Sequence, residues 1–101
     1  MNGSIKQEMR ENQRLVVLRA LASTNDGRLN ETLIQRELDH FGYGLTRDEV
    51  RDVLRWLEER AAVEIVMAAD VIMVATLTRR GEDHIERRGV PVEGIAMPSR
   101  R

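Results

Sequence analysis

The sequence has no cysteine, a single lysine, two prolines and only three aromatic residues. Without cysteine the chain can form neither disulfide bridges nor cysteine-ligated zinc sites, which fits a cytoplasmic protein. The longest apolar run lies within residues 71 to 77, far shorter than the about 20 residues of a membrane-spanning helix. No apolar segment follows the charges near the N-terminus, so no signal peptide is predicted. We therefore expect no membrane association.

The chain also lacks an excess of either charge, because 16 basic and 17 acidic residues leave a net charge of −1. A protein that binds nucleic acid through many phosphate contacts is often clearly basic. The near-equal numbers of basic and acidic residues make nucleic-acid binding less expected but do not exclude it, since a basic face can coexist with an acidic one. A length of 101 residues corresponds to one domain.

The residues that organise catalysis are missing as well. His40 and His84 are the only histidines, and their spacing does not bring two imidazoles to one helix face. The chain has no glycine-rich phosphate loop, no Gly-x-Ser-x-Gly motif and no cysteine nucleophile. The segment Glu-Asp-His-Ile-Glu at 82 to 86 is interpreted as solvated charge. We predict neither an enzyme nor a cofactor nor a bound metal.

Hydrophobic periodicity predicts two helices in the first 42 residues. The first spans 4 to 22, and its first half carries only the thin apolar stripe of Ile5 and Met9. Asn30 can cap the second helix, and Gly42 occupies the position of a helix-ending glycine. The face of the second helix that we predict to be apolar consists of Leu33, Ile34, Leu38 and Phe41, with Phe41 expected in the core.

The third helix, over 46 to 60, has the strongest start signal in the chain. Thr46 and Glu49 form a capping box, in which each side chain bonds the backbone N–H of the other residue. After this helix, the apolar runs 63 to 67 and 71 to 77 predict a β-hairpin.

The remaining elements complete the organisation. Residues 28 to 30 fit a short strand that could join the hairpin. Thr78 can cap a fourth helix over 79 to 88, which Gly89 closes. We predict one domain over 1–89 and an extended tail over 90–101.

This element order is that of a winged helix-turn-helix domain. We therefore predict an α+β, mostly helical fold with a three-helix core, a β-hairpin wing and a C-terminal helix. The chain resembles small winged-helix regulators of the ArsR and MarR type in GRLNETLIQREL, GLTRDEVRDVLRWLEERAAVEIV and VATLTRRGEDHI. This resemblance covers about residues 14 to 88. Over its whole length, including RRGVPVEGIAMPSRR, the chain is similar to small ArsR-like proteins of Mu-like phages.

The resemblance implies a transcriptional regulator that binds double-stranded DNA, with helix 46–60 in the major groove. The apolar stripe of Ile5 and Met9 and the apolar residues of the tail predict a homodimer, since a twofold dimer is the commonest assembly for such a chain. Successive steps of 100° place one row of arginines on this helix, where they could contact phosphate or guanine. Two further arginines begin the fourth helix. The predicted DNA-binding residues are Arg47, Arg51, Arg55, Arg79 and Arg80. An alternative interpretation makes the row a solvated face tied by ion pairs within the helix.

Two observations favour a protein that does not bind DNA. Helix 46–60 carries five carboxylates against four arginines, and the hairpin tip, Met-Ala-Ala-Asp, has no basic residue. The alternative function is therefore a non-catalytic winged-helix interaction module, such as a phage accessory or assembly factor. Trp56 could pack under the hairpin or anchor an interface. The predicted dimer or partner contacts are Ile5, Met9, Trp56 and Ile95.

Overall fold

Four helices and one three-stranded antiparallel sheet make up residues 4–99, the part of the chain that the computed structural model describes. The elements are α1 (Ser4–Ala22), β1 (Arg28–Asn30), α2 (Glu31–His40), α3 (Arg47–Glu59), β2 (Val63–Ala68), β3 (Ile72–Leu77) and α4 (Arg79–Ile85). The fold is therefore α+β and mostly helical, as predicted. The ends of the two predicted units, residues 1–3 and 100–101, lie outside the described residues. None of the described helices is long and apolar enough to cross a membrane.

Side-chain caps fix the starts of three helices. The Asn30 side chain accepts a backbone N–H bond from the third residue of α2, and Thr78 does the same for α4. At α3, the Thr46 hydroxyl accepts the Glu49 N–H at 3.1 Å, and the Glu49 carboxylate accepts the Thr46 N–H at 2.8 Å. Each cap satisfies N–H groups that a helix leaves unpaired in its first turn. The predicted capping box is confirmed.

The sheet has the strand order β1-β3-β2. The two strands of the hairpin pair continuously from Val63 opposite Leu77 to Ala68 opposite Ile72. At the tip, Ala69 and Asp70 both have positive φ, 52° and 59°, as in the type I′ turns that suit a twisted hairpin. Asn-Gly is the usual sequence signal for a type I′ turn, whereas Ala-Asp is not, so the sequence did not predict the turn type.

The core is formed by α1, α2, α3 and the inner face of the sheet. Ile34 and Leu38 are fully buried on α2, but Leu33 and Phe41 are 43% and 59% exposed. The prediction of Phe41 as a core residue is wrong, because α2 ends at His40 and the chain turns away at this position. Helical periodicity does not extend past the C-cap.

The tail after α4 folds back onto the domain. Helix α4 ends at Ile85, three residues earlier than predicted. Its buried His84 accepts the Val92 N–H through Nδ1 at 3.0 Å, and its Nε2 bonds the Ala96 carbonyl oxygen at 3.0 Å. Val92 and Ile95 are buried as a result, so the tail adds to the core.

Candidate functional site

A buried carboxylate lies where α2, α3 and the hairpin meet. Glu31 opens α2 and is 1% exposed. Arg51 donates from Nε and Nη2 to its two oxygens at 2.7 Å each, and Arg47 donates from the same two nitrogens at 3.1 and 3.3 Å. The Met73 backbone N–H donates to Glu31 Oε2 at 2.7 Å. One carboxylate therefore joins the helix α3 to the strand β3. Glu31, Arg47 and Arg51 are called the arginine pair cluster below.

The charges of the cluster stabilise one another. The pKa of Glu31 is lowered to about 2, chiefly because Arg51 bonds its ionised form, with Arg47 and the Met73 N–H acting in the same direction against the effect of burial. The hydrogen bond with Glu31 in turn raises the pKa of Arg51. Glu31 is therefore ionised at neutral pH, and the guanidinium group of an arginine is always charged in proteins. Two guanidinium groups against one carboxylate leave a net charge of about +1.

The same cluster completes the hairpin edge beyond the end of β1. The Leu77 N–H bonds the chain just before β1, and backbone groups alternate in direction along an antiparallel strand. The Met73 N–H therefore points to the side of β1, at a position where β1 has already ended, and Val71 lies just before the start of β3. Glu31 accepts the Met73 N–H, and the two arginines donate to the Val71 carbonyl oxygen at 3.3 and 2.7 Å.

Each arginine retains one unused nitrogen. The bonds to Glu31 and Val71 use Nε and Nη2 only, and no hydrogen bond engages Nη1 of Arg47 or Arg51 from within residues 4–99. The Arg47 and Arg51 side chains are 51% and 30% exposed. No buried, unpaired side-chain nitrogen occurs on a half-buried or buried residue in this part of the chain, so Nη1 of the half-buried Arg51 reaches solvent.

The other predicted arginines lie apart from this cluster. Arg55 follows on α3 and pairs with Glu58 at 2.9 Å, an ion pair within the helix. Arg79 lies 3.8 Å from Asp83 on α4, and no carboxylate of residues 4–99 lies within 4.0 Å of Arg80. Helix α4 packs against α1. The structure therefore brings together two of the five predicted residues.

Trp56 links α1, α3 and the tail. The guanidinium carbons of Arg14 and Arg60 lie 3.7 and 3.8 Å from its ring centroid. Arg14 also donates from Nη1 to the Gly94 carbonyl oxygen at 2.8 Å. Trp56 is half-buried by these contacts. Ile95, the next tail residue, is 5% exposed and part of the core, which removes it from the surface on which an interface was predicted.

A cleft of about 390 Å³ separates the first half of α1 from α3. Ile5 and Met9 stand on α1 beside it and are 68% and 42% exposed. Its apolar lining comes from Met9, Leu45, Val53 and Trp56. Its charged lining comes from Lys6, Arg10 and Arg14 on α1 and from Glu49 and Asp52 on the opposite side. The cleft thus has apolar lining residues, with basic residues on the α1 side and acidic residues on the α3 side.

Glu31 is the site residue that the sequence did not reveal. A carboxylate directly after the cap Asn30 is common, because a negative charge at the N-terminus of a helix interacts favourably with the helix dipole. The position of Glu31 in the sequence therefore does not indicate a buried ion pair. Its burial depends on Met73, which is 42 residues away in the chain, and on α3. The only signal in the sequence is the spacing of Arg47 and Arg51, which share one helix face. Periodicity within a single helix could not pair them with Glu31.

No group of three or more histidine, aspartate or glutamate side chains suited to a metal ion occurs within residues 4–99. His84 is engaged with the tail, as described above. His40 is exposed, with Nδ1 3.7 Å from Glu37. Neither histidine lies in the arginine pair cluster or lines the cleft.

The chain is similar to two proteins that are themselves described as uncharacterized. It is 37% identical over 97 residues to gp26 of Escherichia phage Mu, an alignment that covers 96% of the chain and 98% of gp26. It is 42% identical over 77 residues to a protein of Haemophilus influenzae strain Rd, covering 76% of the chain and 74% of that protein. No protein-family model and no solved structure matches the chain.

Proposed function

For this chain, which belongs to the family of gp26 of Escherichia phage Mu, we propose a winged helix-turn-helix fold and a role as a DNA-binding transcriptional regulator. Helices α2 and α3 form the helix-turn-helix, and the strands β2 and β3 form the wing. The observed order of helices and strands supports this assignment. In such a fold α3 enters the major groove.

The observation that carries the proposal is the fixed orientation of two arginines on α3. Glu31 and Val71 hold the guanidinium groups of Arg47 and Arg51, and none of these bonds uses Nη1 of either arginine. A phosphate oxygen could accept from these nitrogens without breaking the bonds to Glu31. Because the side chains are already ordered, less conformational entropy is lost when they bind.

The hairpin has a supporting part in this proposal. Its tip has no basic side chain, but its Val71 carbonyl oxygen accepts bonds from both arginines. The wing therefore orients α3 side chains instead of reaching DNA itself. Arg55 lies one turn further along α3 and can contribute if its pair with Glu58 opens. Arg79 and Arg80 remain predicted contacts outside this surface.

Binding to a random-sequence duplex across a salt series tests the proposal, with fluorescence anisotropy as the measurement. We expect binding that weakens as salt rises, because each phosphate contact releases counterions. Arg47→Gln should weaken binding to all sequences and reduce the slope of log K against log salt by about one. Arg47 is the suitable position because its side chain is the more exposed of the pair.

Arg19→Gln is the matched control, since it removes the same charge from an exposed position at the end of α1. It should leave the slope unchanged. Thermal unfolding of each variant shows whether the fold is retained. Absence of binding at low salt, or equal slopes for the Arg47 and Arg19 variants, would contradict DNA binding through the arginine pair.

A second candidate function is supported by the cleft between α1 and α3. Ile5 and Met9 are exposed apolar side chains on the first half of α1, and Met9 also lines the cleft. We propose this surface as the contact for a homodimer or for a protein partner. A twofold dimer is the commonest assembly for a chain of this kind.

The mass of the wild type and of Ile5→Glu/Met9→Glu in solution, measured by light scattering after gel filtration, tests the dimer. We expect a wild-type dimer and a folded, monomeric variant, because charges at these positions cannot be buried in an apolar contact without a large cost. Leu33→Glu is the control, as it changes an exposed apolar residue on α2. If the wild type is a monomer, the dimer proposal is wrong, and this surface is the contact for a different protein.

A further inference from the structure

β2 forms an open edge of the sheet. In the order β1-β3-β2, it has no strand neighbour on its outer side within residues 4–99. The Thr78 N–H donates to the Ala62 carbonyl oxygen at 3.2 Å, and the direction of backbone groups alternates along an antiparallel pair. The N–H and C=O groups of Val63, Ile65 and Met67 therefore point away from β3.

Apart from the single charge of Glu64, this edge has none of the usual features that prevent pairing with another chain. The strand reads Val-Glu-Ile-Val-Met-Ala, without proline or lysine, and its pairing with β3 contains no bulge. The opposite side of the hairpin is covered, first by β1 and then by the arginine pair cluster. Within residues 4–99, one side of the hairpin is covered and the other is open.

An open trough of about 500 Å³ runs beside the edge. Its charged lining residues are Glu58 and Glu64, and no basic residue lines it. Glu58 is paired with Arg55, whereas no cation of residues 4–99 lies within 4.0 Å of Glu64. Val66 lies on the same face of β2 as Glu64, two residues on, and is 59% exposed. The edge therefore offers a free carboxylate beside an exposed apolar side chain.

We propose that β2 binds an extended segment of a partner protein that carries an apolar and a basic side chain two residues apart. Main-chain hydrogen bonds to Ile65 and Met67 provide the pairing, because Val63 is only 2% exposed. The basic side chain lies opposite Glu64 and the apolar one opposite Val66. In an antiparallel segment the order is apolar, any residue, basic, because directly opposed side chains share a face.

A second copy of β2 fits the same edge less well. Two β2 strands that paired antiparallel about a twofold axis through Ile65 would place each Glu64 opposite Val66 of the other copy. An axis through Val66 would place it opposite Ala68. Neither arrangement supplies a cation, so the charge of the edge favours a basic partner. This binding is independent of DNA binding by α3.

Titration of the ¹⁵N-labelled protein with the capped heptapeptide Thr-Val-Thr-Val-Thr-Arg-Thr tests the proposal. We expect shifts and slower hydrogen exchange at the amides of Ile65 and Met67. A peptide with glutamate in place of arginine should bind roughly threefold to tenfold more weakly, since a like charge then opposes Glu64. Glu64→Lys should reverse this preference, and the exposed position makes misfolding of the variant a minor risk.

A peptide with the same side chains but N-methylated at alternate residues is the matched control, because it cannot form the ladder. Its binding should be lost. Equal binding of the methylated peptide or of the glutamate peptide would overturn the proposal, as would shifts confined to other strands. Protection of the β2 edge that rises with protein concentration in the absence of peptide would identify a second copy as the occupant.

Discussion

Glu31 is the residue that holds two arginines of α3 in place. A buried carboxylate without partners is unfavourable, and this one accepts bonds from Arg47, Arg51 and the Met73 N–H. The two arginines remain partly exposed, so solvent can reach their other nitrogens. The cluster therefore combines a buried anchor with an accessible cationic surface.

Glu31→Gln should destabilise the protein by about 1–3 kcal/mol at pH 7, since hydrogen bonds to a charged group are lost. The pKa of Glu31 is about 2 in the folded protein against an ordinary 4.5. Its ionisation therefore contributes stability above pH 4.5, which is lost as the pH falls toward 2. The difference between wild type and variant should shrink over that interval.

Urea unfolding at pH values from 7 down to 3 measures this difference. Glu8→Gln provides the control, because Glu8 is exposed on α1 and no basic side chain of residues 4–99 pairs with it. It should change the free energy of unfolding little at any pH. A Glu31→Gln cost that stayed constant from pH 7 to 3 would show that ionisation of Glu31 is not its source.

At the scale of elements, the tail is held against the domain by Trp56 and His84. Within the described residues, it forms neither a helix nor a strand. Trp56 is flanked by two arginines, one of which bonds the Gly94 carbonyl oxygen. His84 bonds the backbone on both sides of this contact. These contacts explain how a segment without periodicity buries two apolar side chains.

Gly94→Ala should release this segment. Gly94 has φ 95°, and a Cβ there would lie 2.6 Å from Cζ2 of Trp56. We expect a loss of about 2–3 kcal/mol, the sum of backbone strain and displacement of the ring. Gly89→Ala is the control, because Gly89 also has positive φ but has open space around it, so only strain of about 1 kcal/mol applies.

Urea unfolding followed by the fluorescence of Trp56, the only tryptophan, reports both the stability and the surroundings of the ring. The native emission should change for the Gly94 variant and stay constant for the Gly89 variant. Equal losses and equal spectra for the two variants would mean that the tail contact with Trp56 does not stabilise the fold.

Local sequence signals are sufficient to predict the helices and strands but not the contacts between them. Caps at Asn30, Thr46 and Thr78 and the alternation of the hairpin predicted the helices and strands. Periodicity wrongly predicts Phe41 in the core, because it does not mark where a helix ends. The tail packs back onto the domain because His84 bonds the backbone of Val92 and Ala96, which lie beyond α4. No local pattern in the sequence indicates these contacts.

At the scale of the whole molecule, the net charge is near zero, but the charged side chains are distributed unevenly over the surface. The chain has a net charge of −1, yet the arginine pair cluster is positive and the trough beside β2 is lined by glutamates. Composition therefore could not decide between a DNA-binding and a protein-binding role. The arrangement of opposite charges on the two sides of the hairpin is compatible with both on separate surfaces.

The most direct test of the central claim is an NMR titration of the protein with a short DNA duplex, following the side-chain N–H signals of Arg47 and Arg51. We predict that these signals shift as duplex is added, while the Met73 amide stays protected because its bond to Glu31 is kept. Arg19 signals should not move. Saturation of the protein with duplex while the signals of both α3 arginines stay unchanged, or no binding at all, would contradict the account.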